Sequence, residues 1–208
     1  MEMRLLRADE LTRFYTGELE YAFPRAELKP LRAMLDALET GTYHPWGLFD
    51  GDELLGGAFA WEYEPGWVLF DYLCVARAHR NGGMGAKLIA HLVECERGNV
   101  LFGESEVPDC APDPDIARRR LGFYRRNGAR EAGYDMTLFG VPFRTLYWAE
   151  HDVPADEIMA HHRALYHKRF APALYEKAIG IPWTLADGMP EKLDWGKMEE
   201  EFRENSRF

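Results

Sequence analysis

Cysteine, basic charge and long apolar runs are all scarce in this chain of 208 residues. The three cysteines, Cys74, Cys95 and Cys110, are odd in number and lack metal-ligand spacing, which favours reduced thiols. Acidic residues outnumber lysine and arginine by 35 to 25, and a net charge of −10 argues against a protein that grips nucleic-acid phosphates. No uncharged run approaches the ~20 apolar residues of a membrane span, and the N-terminus lacks an apolar signal region. We expect a cytoplasmic protein without nucleic-acid or membrane partners.

Core-forming residues, in contrast, are abundant. Hydrophobic residues make up 47% of the chain and aromatic residues 13%, enough to build the core of one domain with an appendage. The excess of acid would favour the approach of cationic substrates such as amines. The sequence contains no internal repeat and no low-complexity tract.

The hydrophobic pattern predicts helices first and then an antiparallel meander. Leucines recur at helical spacing within residues 25–41, after a first helical stretch over 8–23. The turn Asp50-Gly51-Asp52 separates two predicted strands, and the apolar run "WVLFDYLCVA" is a third. A helix over 85–98, a strand over 99–107, a helix over 113–129 and a hairpin turning at Gly140-Val141-Pro142 follow. This order predicts an α/β fold, a mixed sheet with helices on both faces.

The chain changes character at about Glu150. Residues 152–180 resemble one or two helices, opened by Asp152 and Pro154 and ended by Gly180, and an acidic end follows. We expect Trp183 and Trp195 to hold this end to the rest of the protein. The sequence therefore predicts one domain over 1–150 and a helical C-terminal extension over 151–208, packed on that domain or on a partner subunit.

The stretch "RNGGMGAKL" places three glycines between a strand and a helix. Such a turn exposes the first amides of the helix, and glycine lets a phosphate approach them closely. The Walker A motif fails because Ala86 precedes Lys87 and Leu88 follows it, and the dinucleotide-binding fingerprint fails in spacing and position. The pattern that fits is Arg80-x-x-Gly83-x-Gly85, directly after a strand.

This region resembles the acyl-CoA-binding motif of the GNAT superfamily of N-acyltransferases, R/Q-x-x-G-x-G/A, in the stretch "LCVARAHRNGGMGAKLIAHL". Some forty residues later, "LGFYRRNGARE" is similar to the second signature of the family, a tyrosine four residues before a glycine. The resemblance extends over roughly 3–150 and implies a mostly antiparallel sheet of six to seven strands. The chain departs from the family in "DIARRR", where asparagine is frequent, and in Ala129, where phenylalanine is usual.

The resemblance also implies roles for individual residues, with acetyl-CoA as co-substrate. The backbone of Leu73, Cys74 and Val75 would pair with the pantetheine arm. Arg80 would supply charge near the diphosphate, and Tyr124 would protonate the departing thiolate, unless it is simply a packed helix aromatic. Direct transfer to an amine requires no nucleophile, so Cys74 is interpreted as a strand residue. The amides that would cradle the diphosphate belong to Asn81, Gly82, Gly83, Met84, Gly85, Ala86 and Lys87.

An alkylammonium with a pKa of ~10.4 must lose a proton before it attacks a thioester. Asp71 lies inside an otherwise apolar strand, and Glu104 shares a strand face with Glu106. Asp71 and Glu104 are the candidate bases; they could instead bind the cationic acceptor, or be ordinary solvent-facing acids.

Three histidines in the extension, His161, His162 and His167, lack the paired spacing of a metal site, so no metal is expected. The favoured function is the transfer of an acetyl group from acetyl-CoA to a primary amine of a small molecule or peptide, by direct attack in a ternary complex. A homodimer is compatible with this activity. The alternative is a GNAT-like module that binds CoA for regulation or assembly without turnover.

Overall fold

A computed structural model describes residues 1–24 and 27–193 of the chain. The chain divides into two compact units, Met1–Leu101 and Phe102–Phe208. The division predicted at Glu150 stays a prediction. No helix of the described residues is both long and apolar enough to cross a membrane.

The first unit contains four antiparallel strands in the order β1-β2-β3-β4. The hairpin predicted around Gly51 is confirmed, as is the apolar third strand of the meander. The strand β1 was not predicted, because four residues are too few to establish an alternating pattern. The bounds are Glu2–Leu5 for β1, Tyr43–Asp50 for β2, Glu53–Glu64 for β3 and Trp67–Val75 for β4.

The helices of the first unit largely follow the predicted ones. The stretch over 8–23 forms α1, a π-helical turn over Tyr15–Leu19, and α2. The helix predicted over 25–41 begins only at Leu31, so Leu28 lies before it and not on its stripe. Proline disfavours helical geometry in the preceding residue, so Pro30 sets this start. The bounds are Ala8–Phe14 for α1, Glu20–Ala22 for α2, Leu31–Glu39 for α3 and Met84–Cys95 for α4.

Helices cover both faces of the first unit's strands. Phe59 of β3 is fully buried in a cluster with Phe14 of α1 and Met34 of α3. The opposite face of β3 approaches α4 so closely that a Cβ on Gly56 would lie 2.9 Å from a methyl carbon of Leu88. Gly56 therefore permits this close packing of α4. The predicted placement of helices on both faces of the sheet is confirmed for the first unit.

The second unit contains β5, β7, β6 and β8 in that order, with β6 antiparallel to both β7 and β8. The predicted hairpin is confirmed, but its turn lies at Phe139 and Gly140, which have φ values of 49° and 79°. The turn thus precedes the predicted centre by one residue. The bounds are Val100–Glu106 for β5, Pro114–Arg126 for α5, Arg130–Leu138 for β6 and Val141–Trp148 for β7.

The described part of the C-terminal extension packs within the second unit. Of the one or two helices predicted there, the structure has two, α6, Ala155–Arg169, and α7, Pro172–Ala178. It also contributes a strand that was not predicted, β8, Ile179–Trp183, which pairs with β6. Trp183 is buried in β8 and donates to the carbonyl oxygen of Gly188 at 3.0 Å, whereas Trp195 lies outside the described residues. The described residues thus form an α/β fold with eight strands.

An ion pair near the N-terminus predicts how the free energy of unfolding depends on pH in the acid range. Arg4 donates two hydrogen bonds of 2.8 Å to the buried carboxylate of Glu10, whose pKa these bonds lower to about 2. A lowered pKa contributes stability above pH ~4.5 that is lost as the pH falls toward 2. We expect Glu10→Gln to cost about 1.5–3 kcal/mol of unfolding free energy at pH 7.

Urea denaturation at pH 7 and pH 3 checks this expectation. The difference between Glu10→Gln and the wild type should shrink at the lower pH, because between pH 4.5 and pH 2 the unfolded wild-type chain binds a proton at Glu10 that the folded protein does not. The exposed Asp9, which also pairs with arginine, provides the control Asp9→Asn. An equal deficit for Glu10→Gln at both pH values would contradict the account.

Candidate functional site

The glycine-rich loop connects β4 to α4, as predicted. The strand ends at Val75, a 3₁₀ turn follows over Arg77–His79, and α4 begins at Met84. Two residues of the loop are in the left-handed region, Asn81 at φ 66° and Gly83 at φ 75°. Glycine adopts left-handed geometry without a steric penalty, so Gly83 permits the tight turn that leads directly into the helix.

Gly83 is the N-cap of α4 and supplies no side chain to the amides of the first turn. These amides are the unpaired donors of a 12-residue helix and carry the positive end of its dipole. A Cβ built on Gly83 meets no atom within 4 Å, so the space over the cap is open. The residues from Arg80 to Gly83 are exposed, as is Lys87. The loop therefore has the geometry of an anion-binding site.

Arg80 is close to the end of the strand. Its Nε donates to the carbonyl oxygen of Val75 at 3.3 Å, and its guanidinium lies 5.6 Å from the ring centroid of Tyr21. Arg77 lies over the same ring and is paired with Glu18 at 3.5 Å. The exposed guanidinium of Arg80 therefore lies beside the loop, close to the end of β4.

Leu73, Cys74 and Val75 form the end of β4 and pair with Ala58, Gly57 and Gly56 of β3. The thiol of Cys74 is buried, and burial raises its pKa to about 11. A thiol with this pKa is protonated at neutral pH, so Cys74 is unsuited to act as a nucleophile. This agrees with its interpretation as a strand residue.

Asp71 of β4 holds an ammonium group from a segment that the sequence did not connect to it. Lys29 Nζ lies 2.6 Å from Asp71 Oδ2, and the hydroxyl of Tyr43 donates to the same oxygen at 2.8 Å. Both side chains of the ion pair are buried, with 6% of Lys29 and 9% of Asp71 exposed. Asp71 is therefore engaged with a primary ammonium in this structure.

Glu104 of β5 belongs to a second buried network. Its Oε1 accepts from His162 Nε2 at 2.7 Å and from the hydroxyl of Tyr166 at 2.5 Å, both on α6. The other ring nitrogen of His162 lies 3.0 Å from the hydroxyl of Tyr134. Burial raises the pKa of the Tyr134 phenol, so its hydroxyl carries a proton at neutral pH.

Tyr124 lies in the last turns of α5, where the sequence placed it. Its ring is edge-on to Trp148 at 6.0 Å and tilted against Phe123 at 5.5 Å. Burial raises the pKa of the Tyr124 phenol, and the nearby charge of Arg120 opposes the shift. The hydroxyl is therefore in its proton-bearing form throughout the neutral range.

Metal ligands are not grouped in the described residues, where no set of three or more His, Cys, Asp or Glu side chains is arranged to hold an ion. His162 is instead occupied by Glu104 and Tyr134, and the ring of His167 stacks on Tyr175 at 3.6 Å.

Residues 8–129 match the model of the acetyltransferase (GNAT) family, more than half of the chain. The chain belongs to the GNAT family. It is thus an acyltransferase, and acetyl-CoA is the acyl donor that its family uses. No curated protein sequence matches the chain.

Solved structures agree with the GNAT fold. A protein from Bacteroides thetaiotaomicron assigned to the GNAT family superposes with a TM-score of 0.66 at 21% identity, covering 81% of this chain and 97% of that one. An aminoglycoside 6'-N-acetyltransferase complexed with coenzyme A gives 0.56 at 13% identity, covering 74% and 99%. A spermidine N-acetyltransferase chimera from Vibrio cholerae and hSSAT gives 0.55 at 12%, covering 76% and 99%. These identities are low, so the likenesses establish the fold alone.

Sequence reasoning missed the partners of both candidate acids of this GNAT protein. Lys29 precedes Pro30 in a segment without regular structure, 42 residues from Asp71, and His162 is 58 residues from Glu104. A lone aspartate inside an apolar strand was the available signal, because a buried carboxylate requires a partner. The local sequence pattern does not identify the cation or hydrogen-bond donor that pairs with such a carboxylate.

The buried network predicts unequal roles for two adjacent histidines. His162 is completely buried between Glu104 and Tyr134, whereas His161 is half-buried. We expect His162→Ala to lower the free energy of unfolding by about 2–4 kcal/mol, since it removes a packed ring and leaves buried polar groups unpaired. His161→Ala is the matched control and should cost less than about 1 kcal/mol. Denaturant unfolding of both variants checks this, and equal small losses would contradict it.

Proposed function

We propose that this GNAT protein transfers an acetyl group from acetyl-CoA to a primary amine of a small molecule or peptide, by direct attack of the amine on the thioester. The observation that carries the proposal is the open, left-handed cap at Gly83 before the unpaired amides of α4, inside the region that matches the family. Acetyl-CoA supplies the activated acetyl group.

The donor would be held by the first unit's loop and strand end. The amides from Asn81 to Lys87 and the guanidinium of Arg80 suit a diphosphate, because they combine hydrogen-bond donors with positive potential. The backbone of Leu73 to Val75 would pair with the pantetheine amides. The space over Gly83 supports this assignment, since any Cβ there would narrow the approach to the amides.

Direct attack is favoured over an acyl-enzyme. The thiol in the donor strand, Cys74, is buried and has a pKa of about 11, so it would not form a thiolate at neutral pH. Release of CoA requires a proton for its thiolate. Tyr124 is the proposed donor, because burial keeps its phenol protonated.

The two candidate acids suit different tasks. Asp71 already holds a primary ammonium and is proposed to bind cationic groups. Glu104 is a partly buried carboxylate that α6 holds in place through two donors to Oε1, and it is the proposed acceptor of the proton from the amine. Removing that proton from a group with a pKa of ~10.4 at pH 7 costs roughly 4–5 kcal/mol, which a positioned base would reduce.

A panel of amines tests the function and identifies the acceptor class. Thiol release from acetyl-CoA is followed with polyamines, aminoglycosides and peptides carrying a free N-terminus. The acidic chain and the amine-acetylating enzymes that share its fold support the choice of cationic acceptors. We expect thiol release that depends on the amine. Tight acetyl-CoA binding without turnover on any amine would instead support a regulatory CoA-binding module.

A further inference from the structure

The ammonium of Lys29 lies in a cage of one carboxylate and two aromatic rings. Its Nζ is 2.6 Å from Asp71 Oδ2, 4.9 Å from the ring centroid of Tyr43 and 5.0 Å from that of Trp61. We call Asp71, Tyr43 and Trp61 the ammonium cage. All of its members belong to β2, β3 and β4, and Lys29 enters from the segment between α2 and α3.

The cage has the chemistry that recognises a primary ammonium. The carboxylate neutralises the charge, the ring faces attract the cation, and the Tyr43 hydroxyl fixes the carboxylate by donating to the same oxygen at 2.8 Å. These contacts act on the terminal nitrogen and would serve any alkylammonium of similar length. A buried ion pair is seldom a net source of stability, because both charges lose their hydration. Stability alone therefore does not account for the cage.

The segment that carries Lys29 is held by the buried side chain of Leu28 and by hydrogen bonds to tyrosine hydroxyls, and not by a sheet. The Lys29 amide donates to the hydroxyl of Tyr72 at 2.8 Å, and that hydroxyl donates to the carbonyl of Glu27 at 2.9 Å. The hydroxyl of Tyr15 donates to the Lys29 carbonyl at 3.2 Å. Such contacts can break and re-form without unfolding a helix or a strand.

The cage is close to the strand end assigned to the donor. Asp71 precedes Leu73 by two residues on β4, at the point where the pairing of β4 with β3 shifts register between Phe59 and Ala60. An amine bound by Asp71 would thus be near the backbone that is proposed to hold the pantetheine arm. This inference rests on the proposed function.

We propose that the ammonium cage is the acceptor-amine subsite and that Lys29 is its resident occupant, which an incoming primary amine displaces. The cage then selects acceptors with a primary ammonium on a flexible alkyl stem, as lysine itself has. Acceptor affinity is lowered by the fraction of time that Lys29 occupies the cage.

The test uses n-butylamine, which has the four-carbon stem and terminal ammonium of lysine. Lys29→Ala removes the occupant and leaves space for this probe. If Lys29 fills the cage for nine-tenths of the time, its removal should raise kcat/KM for n-butylamine acetylation about 10-fold. Lys29→Arg keeps a cation in the cage and should give no gain. Lys29→Gln is the second variant, in case Lys29→Ala folds poorly. Its side chain fills much of the same space but is held less tightly than an ammonium, so we expect a smaller gain in kcat/KM.

Wild-type acetyl-CoA binding by calorimetry and amine turnover are measured first, and their absence would overturn the proposed function together with this inference. Where they are present, a gain in Lys29→Ala or Lys29→Gln but not in Lys29→Arg supports the subsite. Unchanged n-butylamine acetylation in folded Lys29→Ala and Lys29→Gln would overturn the inference alone.

Discussion

Gly83→Asp will weaken acetyl-CoA binding by at least ~100-fold while the protein stays folded. Position 83 has φ 75°, and among residues with a side chain aspartate and asparagine accept this left-handed geometry best. The new Cβ meets no atom within 4 Å, and a carboxylate at a helix N-terminus interacts favourably with the positive end of the helix dipole. The same carboxylate would lie where the diphosphate approaches and would repel it.

Gly83→Asn is the matched control for this result. Asparagine has nearly the same shape as aspartate and needs the same positive φ, but it carries no charge. The difference in acetyl-CoA affinity between the two variants therefore separates electrostatic repulsion from steric obstruction. We expect a loss of at least ~100-fold in affinity for the aspartate variant, equivalent to ~2.8 kcal/mol, and a smaller loss for asparagine. Calorimetry with acetyl-CoA and circular dichroism provide the measurement. Wild-type affinity in a folded Gly83→Asp variant would remove the loop from the donor site.

Tyr124→Phe should lower kcat by ~10²-fold, the usual contribution of a general acid, with little change in acetyl-CoA affinity. The substitution removes one hydroxyl and retains the ring that packs edge-on against Trp148. Since burial raises the pKa of this phenol, loss of its proton should not produce an alkaline limb in the wild-type pH–rate profile below pH 10.

Tyr175→Phe is the control for the loss of a tyrosine hydroxyl as such. Tyr175 lies in α7, stacks on His167, and has no proposed role in the reaction. Steady-state rates and acetyl-CoA calorimetry are compared for the two variants. Wild-type turnover in Tyr124→Phe would mean that another group or water protonates the thiolate.

The parts of the fold that depend on near neighbours in sequence were predictable. The hairpin at Gly51 and the helices α4 and α5 follow from turn residues and apolar spacing within about a dozen residues. The glycine-rich loop belongs to the same class, because strand, turn and helix are contiguous. The early start predicted for α3 was wrong because leucine spacing was weighed above the restriction that Pro30 places on the residue before it.

The environments of the candidate acids could not be predicted in the same way. Asp71 and Lys29 meet only after β4 pairs into its sheet and the segment before α3 folds back over it. Glu104 meets His162 through the packing of α6 in the second unit. The strand β8 was also missed, because Ile179 to Trp183 is short and contains a glycine and a proline, residues that normally weaken a strand.

The central claim is that the acetyl group passes from acetyl-CoA directly to an amine, and product stoichiometry tests it most directly. Wild-type protein is incubated with acetyl-CoA and the best amine of the panel, and free CoA thiol and N-acetylated amine are quantified in the same samples by mass spectrometry. The account predicts equal amounts of the two products, both abolished in Gly83→Asp, and no acetylated Cys74. Thiol release without N-acetylated amine, or an acetyl group on Cys74 that chases into product, would contradict it.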